Sequence, residues 1–266
     1  MLGAIIGDVV GSRFEFHNYR SKKFDLFSNK CFFTDDTVMT CAIAKALVDK
    51  QDIVKTMVEY GKKYPRAGYG GRFMWWLFYG NHEPYYSFGN GAAMRVSACA
   101  YMAHSEKEVK MLSRKVTAVT HDHPEGLKGA EVTAVMIYKA LNGVLNKEEL
   151  REYALNKYPE IANFDLKELR KTYKFNETCQ ETVPQAIYCF LISKSFEDCL
   201  RTSVSIGGDT DTLCAISCAI AEAYYGIPKK FKKAILKYFS EEDKETLLKP
   251  VIDVYNYCGI KDYFTI

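Results

Sequence analysis

Apolar residues recur at a spacing of three to four through almost every patterned stretch of this chain, and residues so spaced reach a common core only on helices. Over Asp35–Lys50 the residues Val38, Met39, Ala42, Ile43, Ala46 and Leu47 make one stripe. Leu213, Ile216, Ile220 and Tyr224 do the same within Thr212–Tyr225, which ends at Gly226 before Pro228, a helix stop. Val132, Val135, Met136 and Ala140 mark Glu131–Leu141, closed by Asn142-Gly143. Asn146 followed by Glu149 predicts another helix start, and Ser240 followed by Asp243 a further one. Lys229–Tyr238 and Lys244–Tyr257 are amphipathic. No alternating run is long enough to make a strand. The least regular stretch, 64–91, is rich in glycine and aromatic residues, the pattern of a binding loop or of a segment packed on the core. Nothing marks a linker, a repeat or a boundary. The expected architecture is all-α, a compact multi-helix bundle forming one domain over residues 1–266.

Composition narrows the function classes. Hydrophobic residues are 48% and charged residues 26%, which excludes a disordered chain. The net charge of +3 is too small to demand nucleic acid or an anionic membrane as partner. The N-terminal run MLGAIIGDVVGS has no basic leader and is broken by Asp8, and no apolar stretch is long enough to span a bilayer. The expected location is the cytoplasm. Nine scattered cysteines contain no CxxC pair and read as buried free thiols.

Two acidic clusters carry the chemistry. Thr34-Asp35-Asp36-Thr37 precedes the first strongly periodic helix, and Gly207-Gly208-Asp209-Thr210-Asp211-Thr212 precedes the late apolar one. Helix capping explains one Asp or Thr per junction. It does not explain several at each. Clustered carboxylates repel unless protonated or neutralised, and an oxygen-only set suits Mg²⁺, Mn²⁺ or Ca²⁺ rather than zinc. Spacing alone leaves open whether the two junctions meet.

These two clusters form part of a larger ordered set. Gly7-Asp8-x-x-Gly11-Ser12-x-x-Glu15, Thr34-Asp35-Asp36-Thr37, Ser87-Phe88-Gly89-Asn90-Gly91-x-x-Met94-Arg95, Thr120-His121-x-His123-Pro124-x-Gly126 and Gly207-Gly208-Asp209-Thr210-Asp211-Thr212 together resemble the ADP-ribosylglycohydrolase family. That family includes the bacterial enzymes that reactivate dinitrogenase reductase and the eukaryotic ADP-ribosyl-acceptor hydrolases. The resemblance implies an orthogonal helical bundle with two Mg²⁺ or Mn²⁺ ions at the bottom of a cleft. It assigns Thr34, Asp35 and Asp36 as metal ligands from one side and Asp209, Asp211 and Thr212 from the other. Glu15, Asp35 and Asp36 become the candidate catalytic carboxylates. Ser87, Gly89, Asn90 and Gly91 are placed at the diphosphate, through backbone N–H groups, and His121 near the ribose or diphosphate.

The same resemblance implies hydrolysis of an N- or O-glycosidic bond between ADP-ribose and a protein or small-molecule acceptor; nucleic acid enters only as an ADP-ribosylated acceptor. A non-catalytic ADP-ribose binder and a two-metal phosphoester or pyrophosphate hydrolase are the alternatives. Other positions keep two readings. Glu15 is also readable as a surface carboxylate, and Asp8 as a structural acid bonding a neighbouring loop. Arg95 is readable as a phosphate partner or a structural ion-pair partner, and His123 as loop punctuation. Tyr69, Phe73, Trp75, Trp76, Tyr85, Tyr86 and Phe88 offer stacking surfaces for adenine, though core packing is the commoner use of such residues.

Overall fold

The computed structural model describes residues 1–143 and 146–260. Its helices are α1 (Leu2–Gly11), α2 (Asp35–Val48), α3 (Ile53–Lys63), α4 (Gly71–Phe78), α5 (Gly91–Met94), α6 (Ser97–Met102), α7 (Glu106–Thr117) and α8 (Pro124–Leu141). They continue as α9 (Lys147–Lys157), α10 (Leu166–Thr172), α11 (Cys179–Ile192), α12 (Phe196–Ile206), α13 (Thr210–Tyr225), α14 (Lys229–Ile235), α15 (Glu241–Asp243) and α16 (Lys249–Tyr257). No strand occurs among the described residues; one isolated bridge joins Gly89 to Thr178. The all-α expectation holds.

Helix starts follow the side-chain chemistry. Thr34, Asp52, Ser105, Asn146, Asp165, Ser195 and Ser240 each accept a hydrogen bond from a backbone N–H in the first turn of the helix they precede. Several boundaries differ from the sequence expectation, α13 for one beginning at Thr210 rather than Thr212. α8 begins at Pro124 rather than Glu131, because Gly126 and Gly129 interrupt the apolar period of a turn that His123 caps. The stretch 64–91 contains α4, whose eight residues are too few for a period to stand out.

The centre of the bundle is the pair α1 and α13. Every residue of α1 is buried. Its Gly3, Gly7 and Gly11, four apart, form a smooth strip against the α13 backbone: an added Cβ would lie 2.3 Å from the Cys218 carbonyl oxygen at Gly3 and 2.3 Å from that of Cys214 at Gly7. At one end of this pair Glu222 accepts from the Met1 ammonium (2.5 Å), the Gly3 N–H (2.7 Å) and the Tyr255 hydroxyl, tying α16 to both helices. At the other end lie Asp8, Gly11 and Asp211. Close packing therefore sets the position of the acids. Gly7→Ala is expected to push the helices apart and lower stability by about 1–3 kcal/mol, the usual scale for overpacking a tight core, read by chemical denaturation; an unchanged midpoint would show that the strip tolerates a side chain.

Eight of the nine cysteines are buried, Cys258 is partly exposed, and none is bonded to another. Among the described residues no helix is long and apolar enough to cross a membrane.

Candidate active site

Asp8, buried in α1, organises the first acidic junction. Its carboxylate accepts from the Thr34 N–H (2.9 Å), the Thr34 hydroxyl (2.7 Å), the Thr37 N–H (3.1 Å) and the Thr37 hydroxyl. The acid thus bonds a neighbouring turn, as its structural reading expected, and it fixes the first turn of α2, which carries Asp35 and Asp36. Burial raises its carboxyl to about 6, with those hydrogen bonds pulling the other way.

The second junction is shaped by Gly207 and Gly208, with φ of 69° and 83°, a left-handed conformation that favours glycine. The Gly208 N–H donates to Asn18 Oδ1 (2.8 Å), while Arg20 donates to the carbonyls of Ile206 and Tyr173 (2.7 Å to the latter). The segment following Glu15 is thereby stapled to the turn that bears Asp209. Asp211 lies in the first turn of α13, as Asp35 and Asp36 do in α2. Both acid sets sit where a helix dipole offsets negative charge.

The two junctions meet. Thr212 Oγ1 donates to Asp36 Oδ2 (3.1 Å). Carboxylate oxygens of Asp8, Asp36 and Asp211 lie within 4.8 Å of one another, as do those of Glu15, Asp209 and Asp211. Oδ1 of Asp36 and Oδ1 of Asp211 are buried and have no hydrogen-bond partner among the described residues. Burial, reinforced by the neighbouring carboxylates, holds the carboxyls of Asp35, Asp36 and Asp211 well above their usual range. Glu15 is half-buried, and burial followed by the charges of Asp209 and Asp8 raises it to about 7. A cluster of this kind, with orphaned inward oxygens and no sulfur or imidazole, fits a hard divalent cation.

A cleft of about 230 Å³ opens beside the cluster. Glu15, Asp35, Asp209, Asp211 and Thr212 line it. Ser87, Gly89, Asn90, Gly91 and His121 line it as well. Thr34 and Asp36 are buried just beneath the wall rather than in it. Two amides that the sequence directs at phosphate are already engaged: the Gly89 N–H donates to Ser87 Oγ (3.2 Å) and the Asn90 N–H to the Glu177 carbonyl (2.7 Å). The Asn90 side chain turns to the acids, donating to Asp209 Oδ2 (2.7 Å).

His121 lies in the cleft wall, whereas His123 caps α8 by accepting from the Glu125 N–H (3.1 Å). Arg95 also lines the cleft, and among the described residues it has no acidic partner, so the ion-pair reading does not hold. Of the aromatic residues in 64–91, Tyr69, Phe73 and Trp76 are buried, and Phe73 and Tyr85 border the cleft. Glu177 and Arg72, which no sequence pattern singled out, line it as well. Both stand outside any periodic or clustered motif.

The chain resembles known proteins over nearly its whole length. A family model described as ADP-ribosylglycohydrolase matches residues 1–258. Mouse ADP-ribosylhydrolase ARH3 is 28% identical, with 91% of this chain and 88% of that protein aligned. The ADP-ribosyl-[dinitrogen reductase] glycohydrolase of Rhodospirillum rubrum is 26% identical over 85% of this chain and 84% of its own length. ADP-ribosylarginine hydrolase Tri1 of Pseudomonas putida is 25% identical over 85% of this chain and 70% of its own. The fold of a solved chain from an ADP-ribosylglycohydrolase-related protein complex matches with a TM-score of 0.69 at 24% identity, covering 97% of this chain and 95% of that one. An acid cluster built at two facing helix starts, in a bundle of this fold, therefore belongs to an enzyme of the ADP-ribosylglycohydrolase family, the hydrolases of ADP-ribosyl glycosidic bonds.

Proposed function

We propose that this protein, as one domain, hydrolyses the N- or O-glycosidic bond joining ADP-ribose to a protein side chain or small acceptor, with two Mg²⁺ or Mn²⁺ ions held by the acid cluster beside its cleft. The observation that carries this reading is the meeting of the two acidic junctions beside a cleft that Arg72, Arg95 and His121 also line. Thr34, Asp35, Asp36, Asp209, Asp211 and Thr212 would hold the ions, and Asp211 is common to both groups of close carboxylates. When bound, such ions supply Lewis acidity and keep a ribose diol and a water within reach of each other.

The chain's own residues do the remaining work. Ser87, His121, Arg72 and Arg95 would form the wall that receives the diphosphate, and Gly89, Asn90 and Gly91 shape it. This places the distal ribose at the carboxylates. Glu15, beside Asp209 and Asp211, takes the proton of the water that attacks the anomeric carbon, Asp35 orients that water, and as the anomeric C–N or C–O bond breaks the proton passes on to the departing nitrogen or oxygen of the acceptor; both carboxylates face the positive charge that develops at the anomeric carbon. Asp36, buried below, holds the geometry through Thr212. An Asp35→Ala, Asp209→Ala double variant tests the reading. Release of ADP-ribose is expected to fall more than about 1,000-fold with the helical circular-dichroism spectrum retained, the scale seen when groups that act as a unit are removed. Turnover within tenfold of the parent would overturn it.

A further inference from the structure

Arg95 is one of the largest fully buried side chains in the molecule. Its Nη2 donates to the Val116 carbonyl (3.2 Å) and to Thr120 Oγ1 (2.6 Å), and its Nε has no partner among the described residues. Burying a guanidinium without a carboxylate is costly, and a neutral side chain would fill the same space more cheaply. Its position in the cleft wall gives the charge a use.

The next bond in the chain is the informative one. Thr120 Oγ1 lies 2.7 Å from His121 Nδ1. A guanidinium can only donate, so Thr120 Oγ1 is the acceptor in its bond with Arg95. Among the described residues the hydroxyl proton of Thr120 then has a single acceptor within reach, His121 Nδ1. An imidazole that accepts at Nδ1 carries its proton on Nε2. Nε2 faces the glycine segment of the cleft: a Cβ added at Gly89 or Gly91 would stand 3.3 or 3.5 Å from it. A second proton on the ring is opposed by burial and by the positive charges of Arg95 and Arg72.

We propose that Arg95 and Thr120 are positioning residues that lock His121 as the neutral tautomer with its proton on Nε2, aimed at the diphosphate of ADP-ribose. The diphosphate assignment rests on the proposed function; the lock itself does not. A fixed N–H donor near the phosphates binds them without the reorganisation a free imidazole would require. The buried guanidinium adds a positive potential that salt screens much less than that of a surface charge.

The test combines long-range ¹H–¹⁵N NMR on histidine-labelled protein with calorimetric titration of ADP-ribose. Wild-type His121 is expected to show a protonated Nε2 and a bare Nδ1; the opposite tautomer overturns the proposal without any variant. Thr120→Val removes the lock at nearly constant volume and is expected to give mixed tautomers and about tenfold weaker ADP-ribose binding. Thr120→Ser should restore both. Thr117→Val, at a buried threonine whose hydroxyl has no partner, serves as the control and should change neither. Weaker binding in Thr120→Val with the tautomer unchanged would assign Thr120 a merely structural role and overturn the lock. A changed tautomer with unaltered affinity would overturn its aim at the diphosphate. If Thr120→Val does not fold, the wild-type tautomer decides. Failure of the wild type to bind ADP-ribose would sink the proposed function and leave the tautomer result standing on its own.

Discussion

Asp211→Asn is expected to abolish hydrolysis and, at the same time, to stabilise the metal-free protein. The two effects share one cause. Asp211 belongs to both groups of close carboxylates, and its Oδ1 is buried without a partner. Burial and the charges of Asp209 and Asp36 hold its carboxyl well above the usual range. The fold therefore carries the side chain against its own preference, as functional sites often do. An amide of the same shape removes the charge and leaves the backbone of α13 undisturbed. Without cation, the variant should melt about 2–4 °C higher than the parent at pH 7.5, corresponding to about 1 kcal/mol for a chain of this size. Its turnover should fall at least about 1,000-fold. A variant less stable than the parent without cation would show that Asp211 makes a structural bond the geometry does not reveal.

The stability of the chelated parent should also fall as pH rises, a slope that added Mg²⁺ should flatten. Asp8 is raised from 3.8 to about 6 and Glu15 from 4.5 to about 7, while Asp35, Asp36 and Asp211 are raised well above 3.8. Groups raised in the folded state bind protons that the unfolded chain has already lost. Their contribution is complete below the unfolded values near 4 and is lost as pH climbs through the folded ones. His121 acts in the opposite sense below about 6.5, and Lys147, lowered to about 8 by burial, does so at higher pH. The window between pH 6.5 and 7.5 is thus the one to read. The Met1 ammonium, lowered by burial, opposes the trend there, whereas Glu15, raised to about 7, follows it. One net extra proton held by the folded state gives about 1.4 kcal/mol of lost stability per pH unit. Differential scanning calorimetry in EDTA should show a melting point a few degrees lower at pH 7.5 than at pH 6.5. Saturating Mg²⁺ should raise it more at the higher pH, because cation and protons compete for the same oxygens. A flat or rising melting point in EDTA would mean that the acids are not held in this state.

Much of this was legible in the residues because local chemistry decides it. Helical period located α2 and α13, a glycine stop closed α13, and the doubled acids at their starts exceed what capping needs. The unresolved question was whether the junctions meet. Its answer lies in the α1–α13 contact, which depends on three glycines four apart, a pattern weak in itself until the partner backbone is seen against it. Asp8 and Arg95 were ambiguous for a related reason. Each is a charged residue in an apolar stretch, and only its distant partners, Thr34 and Thr37 for one and Thr120 for the other, distinguish scaffold from site. Glu177 and Arg72 left no trace in any motif. Their place in the cleft follows from the clamp between 87–91 and 176–179 and from α4, neither of which has a strong period.

The most direct measurement is the identity of the product. The protein, with Mg²⁺ or Mn²⁺ and separately with EDTA, should be given arginine-, serine- and nucleic-acid-linked ADP-ribose and the reaction resolved by mass spectrometry. Intact ADP-ribose released from at least one of them, and absent in EDTA, is the expected result and names the acceptor. AMP as the product would contradict glycosidic hydrolysis, since it reports cleavage of the pyrophosphate; binding of ADP-ribose with no release from any conjugate would contradict catalysis on these acceptors and favour a binding protein.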